Sequence, residues 1–96
     1  MAIELLDYDS ADYFTEERAQ RALLDDAFDS NDPATILHAI GIVARARGMS
    51  SLAQETGLKR QQLYHAFRTG GNPTMATVTK VLQALGLRLS VESARA

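Results

Sequence analysis

Apolar residues along this chain recur at three- and four-residue spacing in separate blocks, divided by short polar stretches. Thr15, followed by Glu16, Glu17 and Arg18, reads as an N-cap with acids in the first turn, so the spacing predicts a helix to about Phe28. Its apolar stripe of Ala19, Ala22, Leu23 and Ala27 is weak. Upstream, Ile3, Leu5, Leu6, Tyr8, Tyr13 and Phe14 suit a short docking arm. SNDP at 30–33 is a boundary, because Asp32 can cap and Pro33 fits a first helical position. Ile36, Leu37, Ile40, Val43 and Ala44 then mark a core helix that Gly48 can end in a left-handed conformation. Two short helices follow, roughly 51–56 and 59–68, separated by Thr56, Gly57 and Leu58, and TGGNP at 69–73 reads as a loop. Thr74 caps a last helix with Met75, Val78, Val81, Leu82 and Leu85 on one side, stopped at Gly86. The period then changes. In LRLSV, Leu87, Leu89 and Val91 alternate with Arg88 and Ser90, which predicts a short C-terminal strand that must pair with something, such as its twin in a second subunit.

These elements predict an all-α fold of five helices with an acidic N-terminal helical leader, residues 1–32, and a helical domain, residues 33–96, ending in that strand. The chain of 96 residues suits a single core. Charge sharpens the division. Residues 1–32 hold ten acidic and two basic side chains, a net of −8; residues 33–96 hold two acidic and eight basic, a net of +6. Such halves either meet different partners or fold against and screen each other. Cysteine is absent, which excludes disulfides, thiolate nucleophiles and cysteine metal sites and agrees with a cytoplasmic protein. The longest apolar run is AIGIVA, too short for a membrane span, and the N-terminus lacks an export pattern.

The stretch MSSLAQETGLKRQQLYHAF, residues 49–67, carries the chemistry. A helix-turn-helix needs a small residue where its helices press together, a residue tolerant of positive φ in the turn, and an apolar anchor on the second helix. Ala53, Gly57 and Leu63 meet those needs in that order, with Leu52, Leu58, Ala66 and Phe67 completing the inner face. The polar residues of the second helix are then left for an outer face that can enter a DNA major groove. Arg60 can fork to guanine, Gln61 or Gln62 can pair with adenine, and His65, one turn on, can donate to a base or a phosphate. Ser50, Ser51, Lys59, Arg68, Thr69, Asn72 and Thr74 suit phosphates, partly through main-chain amides at helix N-termini, and Tyr64 either joins them or packs on the core edge. Ser51 and Thr74 are equally explained as caps. His38 has no second ligand at metal spacing, Arg45 and Arg47 suit the C-terminal end of a helix dipole, and no phosphate loop or nucleophile–base pair is present. The pattern predicts no enzyme, no metal and no cofactor.

Residues 41–89, and within them ARARGMSSLAQETGL, RQQLY, GNPT and LGLRL, resemble the helix-turn-helix antidote proteins of addiction modules, relatives of HigA-like antitoxins and Xre/Cro-type repressors. The upstream YDSADYFTEERAQRALLDDAFDSNDPATILHAIG resembles the acidic leader of that family, though YF stands at 13–14 where tyrosine and an aliphatic residue are expected. The resemblance implies an Xre/Cro-type domain in a small homodimeric antitoxin that binds a RelE/HigB-like toxin and represses the shared promoter at a palindromic operator on double-stranded DNA. It also implies base reading by Arg60, Gln61 and Gln62. The DNA reading itself calls for a twofold dimer, whose candidate surface is the last helix and strand, Val78, Val81, Leu82, Leu85, Leu87 and Leu89, although some of these must fill the core instead. The residues themselves leave two other readings open: a stand-alone Cro-like repressor without a toxin, and a protein–protein adaptor using the same fold.

Overall fold

The computed structural model describes residues 8–94, with side chains from Glu16 to Ala94. Five helices follow in order: α1 (Tyr8–Ser30), α2 (Pro33–Arg47), α3 (Met49–Thr56), α4 (Arg60–Phe67) and α5 (Met75–Ala84). The first helix begins seven residues before Thr15, so Thr15 lies inside it and is not its cap. The acids at 16 and 17 favour a helix N-terminus but do not compel one, and the helix extends upstream through YDSADYF. Ile3, Leu5 and Leu6 of the expected arm lie outside the described residues.

Each residue of SNDP has a separate task in turning the chain from α1 to α2. The Ser30 hydroxyl donates to the Ala27 carbonyl at 2.6 Å and accepts from the Asp32 amide at 3.1 Å. Asn31 takes the left-handed conformation, φ 56°, which asparagine tolerates better than most residues. Asp32 caps α2 by accepting from the Thr35 amide at 3.0 Å and hydroxyl at 2.7 Å, and Pro33 fills the first turn where its missing N–H costs nothing. Those two bonds, the side-chain bond foremost, hold the Asp32 carboxyl below its ordinary value of 3.8. A depressed carboxyl stabilises the fold above its unfolded pKa, and that contribution disappears as pH falls through the folded value. Acid unfolding below pH 3.8 should therefore be partly relieved in Asp32→Asn, whose amide caps without titrating; circular dichroism melts from about pH 2 to 6 would show the two proteins converging in acid.

One core joins all five helices. Leu24 and Ala27 of α1 pack with Ala39, Ile40, Val43 and Ala44 of α2, Met49 and Leu52 of α3, Leu63 and Phe67 of α4, and Val81, Leu82 and Leu85 around α5. Leu23 and Phe28 add to the α1 stripe, completing the i, i+3, i+4 pattern that a weakly apolar helix needs to dock. The acidic helix thus folds against the basic part of the chain. Arg47, in the last turn of α2, donates to the Gln20 side chain at 2.8 Å and lies 4.0 Å from Glu17. Gly41 lets α2 and α4 approach closely, since a Cβ there would sit 3.1 Å from the Phe67 carbonyl oxygen.

Gly48 serves two helices: its amide closes α2 on the Ala44 carbonyl, and its carbonyl receives the Leu52 amide of α3. Consequently α3 starts at Met49 rather than 51, and Ser51 lies in its first turn without capping it. Thr74 does cap α5, accepting from the Thr77 amide at 3.2 Å. At the other end the Leu87 amide reaches the Leu82 carbonyl at 2.8 Å and the Gly86 amide reaches Gln83 at 2.9 Å, the paired bonds of a Schellman ending.

The expected C-terminal strand is absent among the described residues: 87–94 carry no regular secondary structure. A strand is defined by the neighbour that completes its ladder, and one chain supplies none here. Leu87 and Leu89 still pack against the core while Arg88 and Ser90 are exposed, so the alternation is realised as burial. Val81, Leu82 and Leu85 are buried within the protomer, which removes them from any dimer surface; Met75, placed on the apolar side by spacing, is 66% exposed.

Candidate functional site

Three residues, 57–59, join α3 to α4, and their geometry fixes how α4 is presented. Gly57 is left-handed, φ 78° and ψ 6°, and its amide returns to the Ala53 carbonyl at 3.0 Å. A side chain at 57 would meet no atom within 4 Å, so the requirement for glycine is conformational, not steric. The Thr56 hydroxyl donates to the Leu52 carbonyl at 2.7 Å and accepts from the Leu58 amide at 3.2 Å, which sets the exit direction. Leu63 is fully buried and Phe67 nearly so, and Ala53 is half-buried against the same core.

With Leu63 and Phe67 inward, the turn of about 100° per residue sets the opposite ridge of α4 at Gln61, His65 and Arg68. All three are exposed. The Arg68 guanidinium donates to His65 Nε2 at 3.2 Å, a bond that requires the imidazole proton on Nδ1. Arg60 and Tyr64 form one flank, with the guanidinium 5.8 Å from the ring centroid, a cation–π contact that leaves Tyr64 41% exposed rather than packed on the core edge. Gln62 forms the other flank. Its amide oxygen accepts from the Lys59 main-chain N–H at 3.3 Å and so caps the start of α4; the Lys59 ammonium, lacking a lone pair, cannot return the bond.

The Gln62 flank opens on a shallow depression between α4 and the start of α5. It gathers Lys59, Gln61, Gln62, His65, Arg68, Asn72 and Thr74 from the residues singled out in the sequence, and adds Pro73 and Thr77. Thr77 stands three residues after the Thr74 cap, a spacing that could have announced it. Thr69 faces elsewhere, toward Pro33 and His38 at the start of α2. Ser50 and Ser51 are exposed in the first turn of α3, where helical main-chain amides lack partners within the helix. Arg60 and Tyr64 do not line the depression.

The depression holds two cations, Lys59 and Arg68, and no carboxylate. Between Glu55 and Glu92 the chain has five basic side chains, Lys59, Arg60, Arg68, Lys80 and Arg88, and no acidic one. The exposed carboxylates gather instead on α1, at Glu16, Glu17, Asp25, Asp26 and Asp29. Among the described residues no cluster of histidine and carboxylate side chains can hold a metal, and no helix is long and apolar enough to cross a membrane.

Comparison with known proteins gives the chain its relatives. The model of a family described as "Probable addiction module antidote protein" matches residues 4–93. An uncharacterized protein of Haemophilus influenzae is 40% identical over 95 residues, spanning 99% of this chain and 98% of its own length. No solved structure matches.

Proposed function

Because the chain belongs to the family of "Probable addiction module antidote protein", we propose that it is the antitoxin of a type II toxin–antitoxin module, neutralising a RelE/HigB-like toxin by direct binding and repressing its own operon as a homodimer on a palindromic site. In this reading α3 and α4 are an Xre/Cro-type helix-turn-helix, with Ala53 and Leu63 as its internal contacts and Gly57 as its turn residue. The acidic leader, residues 1–32, takes part in toxin binding, and the rest of the chain reads DNA.

The observation that carries the DNA half is the exposed ridge Gln61–His65–Arg68, beside a depression that holds Lys59 and Arg68 and no carboxylate. A major groove admits one helix, whose N-terminal side chains meet base edges. Gln61 stands at the front of the ridge, Arg60 reaches from the flank with its guanidinium held over Tyr64, and His65 follows one turn later. Gln62 reads a base only by giving up its cap on Lys59, which makes Gln61 the stronger of the two glutamines. Lys59, Arg68, Asn72 and Thr74 around the depression, the amides at Ser50 and Ser51, and Tyr64 and Thr69 at the margins contact phosphates, which position without specifying. Half-sites should lie about 34–36 Å apart, or multiples of that.

Three substitutions separate the roles. Gln61→Ala should cost about 1–3 kcal/mol on the cognate operator and relax choice at one base pair, as should Arg60→Ala. Lys59→Ala should weaken all sequences similarly and lower the salt slope by about one. Titrations against the operator and single-base variants at several salt concentrations distinguish them, and unchanged cognate affinity in both Gln61→Ala and Arg60→Ala would remove α4 as the reading helix.

A further inference from the structure

Among the described residues, the chain emerging from α5 has main-chain groups without partners, and its sequence is complementary to itself. After the Leu87 amide closes on Leu82, no main-chain hydrogen bond is made by residues 88–94 among the described residues. Burial nevertheless alternates with the two-residue period of an extended chain: Leu87 and Leu89 half-buried, Arg88 and Ser90 exposed. Val91, a strongly strand-favouring residue, is 97% exposed, and Leu89 lies beside a groove floored by Leu24, Phe28 and Leu82.

We propose that residues 88–92 pair antiparallel with the same residues of a second copy of this chain, about a twofold axis through Ser90. In that register Arg88 stands opposite the partner's Glu92, Leu89 opposite the partner's Val91, and Ser90 opposite its twin. The Arg88–Glu92 and Leu89–Val91 pairs each occur twice by symmetry, as an isologous interface requires, and Ser90 meets its twin on the axis. Opposite charges and apolar side chains are the cross-strand pairs that stabilise an antiparallel ribbon. Reversing direction destroys the match: in parallel pairing Arg88 would face Arg88 and Glu92 would face Glu92. Leu89 and Val91 share one face of the ribbon, so the partner's Val91 is brought to the mouth of the groove, where Leu24, Phe28 and Leu82 lie beside the charged Arg21 and Asp25. The occupant is thus a second copy rather than another protein, because the complementarity is of this segment with itself. This gives the proposed operator-binding dimer its interface, yet it is tested without DNA, so either claim can fail alone.

The test uses the full chain, which has no cysteine of its own. Directly opposed residues of an antiparallel pair have Cα atoms about 4.5–5.5 Å apart, within reach of a disulfide. Ser90→Cys should therefore form a covalent dimer on mild oxidation, seen on a non-reducing gel and at twice the mass by light scattering. Glu92→Cys, whose twin lies about 13 Å away along the ribbon, should not. Arg88→Glu should weaken dimerisation on the order of tenfold by sedimentation, and adding Glu92→Arg should restore it, because the pair is then re-formed with its signs exchanged. Circular dichroism of each variant establishes that the fold is intact. The proposal is overturned if the folded Ser90→Cys variant stays monomeric, if Glu92→Cys cross-links as readily as Ser90→Cys, or if the charge-exchanged double variant fails to recover; an Arg88→Glu variant that dimerises as tightly as the unsubstituted chain would assign the dimer to another face.

Discussion

Gly71→Ala should unfold the protein at markedly lower temperature and release the loop that carries Asn72 and Thr74. A Cβ at this position would lie 2.3 Å from the Ala66 carbonyl oxygen and 2.8 Å from both the Ala66 carbonyl carbon and the His65 carbonyl oxygen. All three are main-chain atoms at the end of α4, so no side-chain rotation relieves the clash; the loop or the helix end must move. Overpacking of this kind costs about 1–3 kcal/mol and occasionally more. For a domain of this size that corresponds to a fall in Tm of roughly 4–8 °C per kcal/mol. The comparison variant is Gly70→Ala. Gly70 has φ 80° with nothing within 4 Å of a Cβ, so its substitution meets only the left-handed penalty of about 1–2 kcal/mol. The two effects differ in consequence as well as size. Displacing Gly71 shifts the rim of the depression beside Gln61 and His65, so DNA affinity should fall in Gly71→Ala by more than its loss of stability explains at temperatures where it remains folded. A thermal melt and an operator titration on both variants check this; equal melting temperatures for the two alanines would contradict the close approach.

The second large effect concerns the acidic helix. Asp26 and Asp29 are exposed on α1, on the face opposite Leu23, Leu24 and Ala27. Reversing both, Asp26→Lys with Asp29→Lys, should slow association with the toxin about tenfold or more at low salt. RNA-binding toxins of the proposed class are basic, and complementary fields act chiefly on the encounter rate. The difference should shrink as salt screens exposed charges, while dissociation changes little. Substitution is a cleaner test than removing the helix, because Leu24 and Ala27 belong to the common core and their loss would unfold the rest. Lysines near the C-terminal end of α1 are compatible with its dipole, so the fold should survive the reversal. Stopped-flow binding to purified toxin at two ionic strengths supplies the rates; an unchanged low-salt association rate would exclude α1 from electrostatic capture.

How much of this is legible in the sequence depends on whether the cause is local. Asp32, Pro33, Thr74 and Gly57 act on their own or adjacent turns, and each is readable from residue type and position. The helix boundaries around them follow within a residue or two, the start of α3 moving from 51 to Met49 because Gly48 caps two helices at once. The upstream extent of α1 is not readable, because acids near Thr15 suit a helix interior as well as its start. Nor is the fate of LRLSV, since alternation specifies an extended chain with one buried side but says nothing of its partner. At the candidate site, spacing identifies the polar residues of α4 but not their order of prominence. Gln62 is turned to a capping role, Arg60 to a flank over Tyr64, and Gln61 with His65 to the ridge, distinctions that follow from tertiary packing of Leu63 and Phe67. Gly71 reads as an ordinary loop residue because its role lies in a tertiary approach to Ala66 that spacing does not encode.

Whether α4 reads the chain's own operator is measured by fluorescence anisotropy. Labelled duplex from immediately upstream of the coding sequence is titrated with the purified full chain, against a scrambled duplex, at two salt concentrations. An α4 that reads this operator should prefer the upstream duplex at both, with affinity for either falling by about one power of salt concentration per phosphate neutralised. Equal affinity for the two duplexes at both salt concentrations would contradict it.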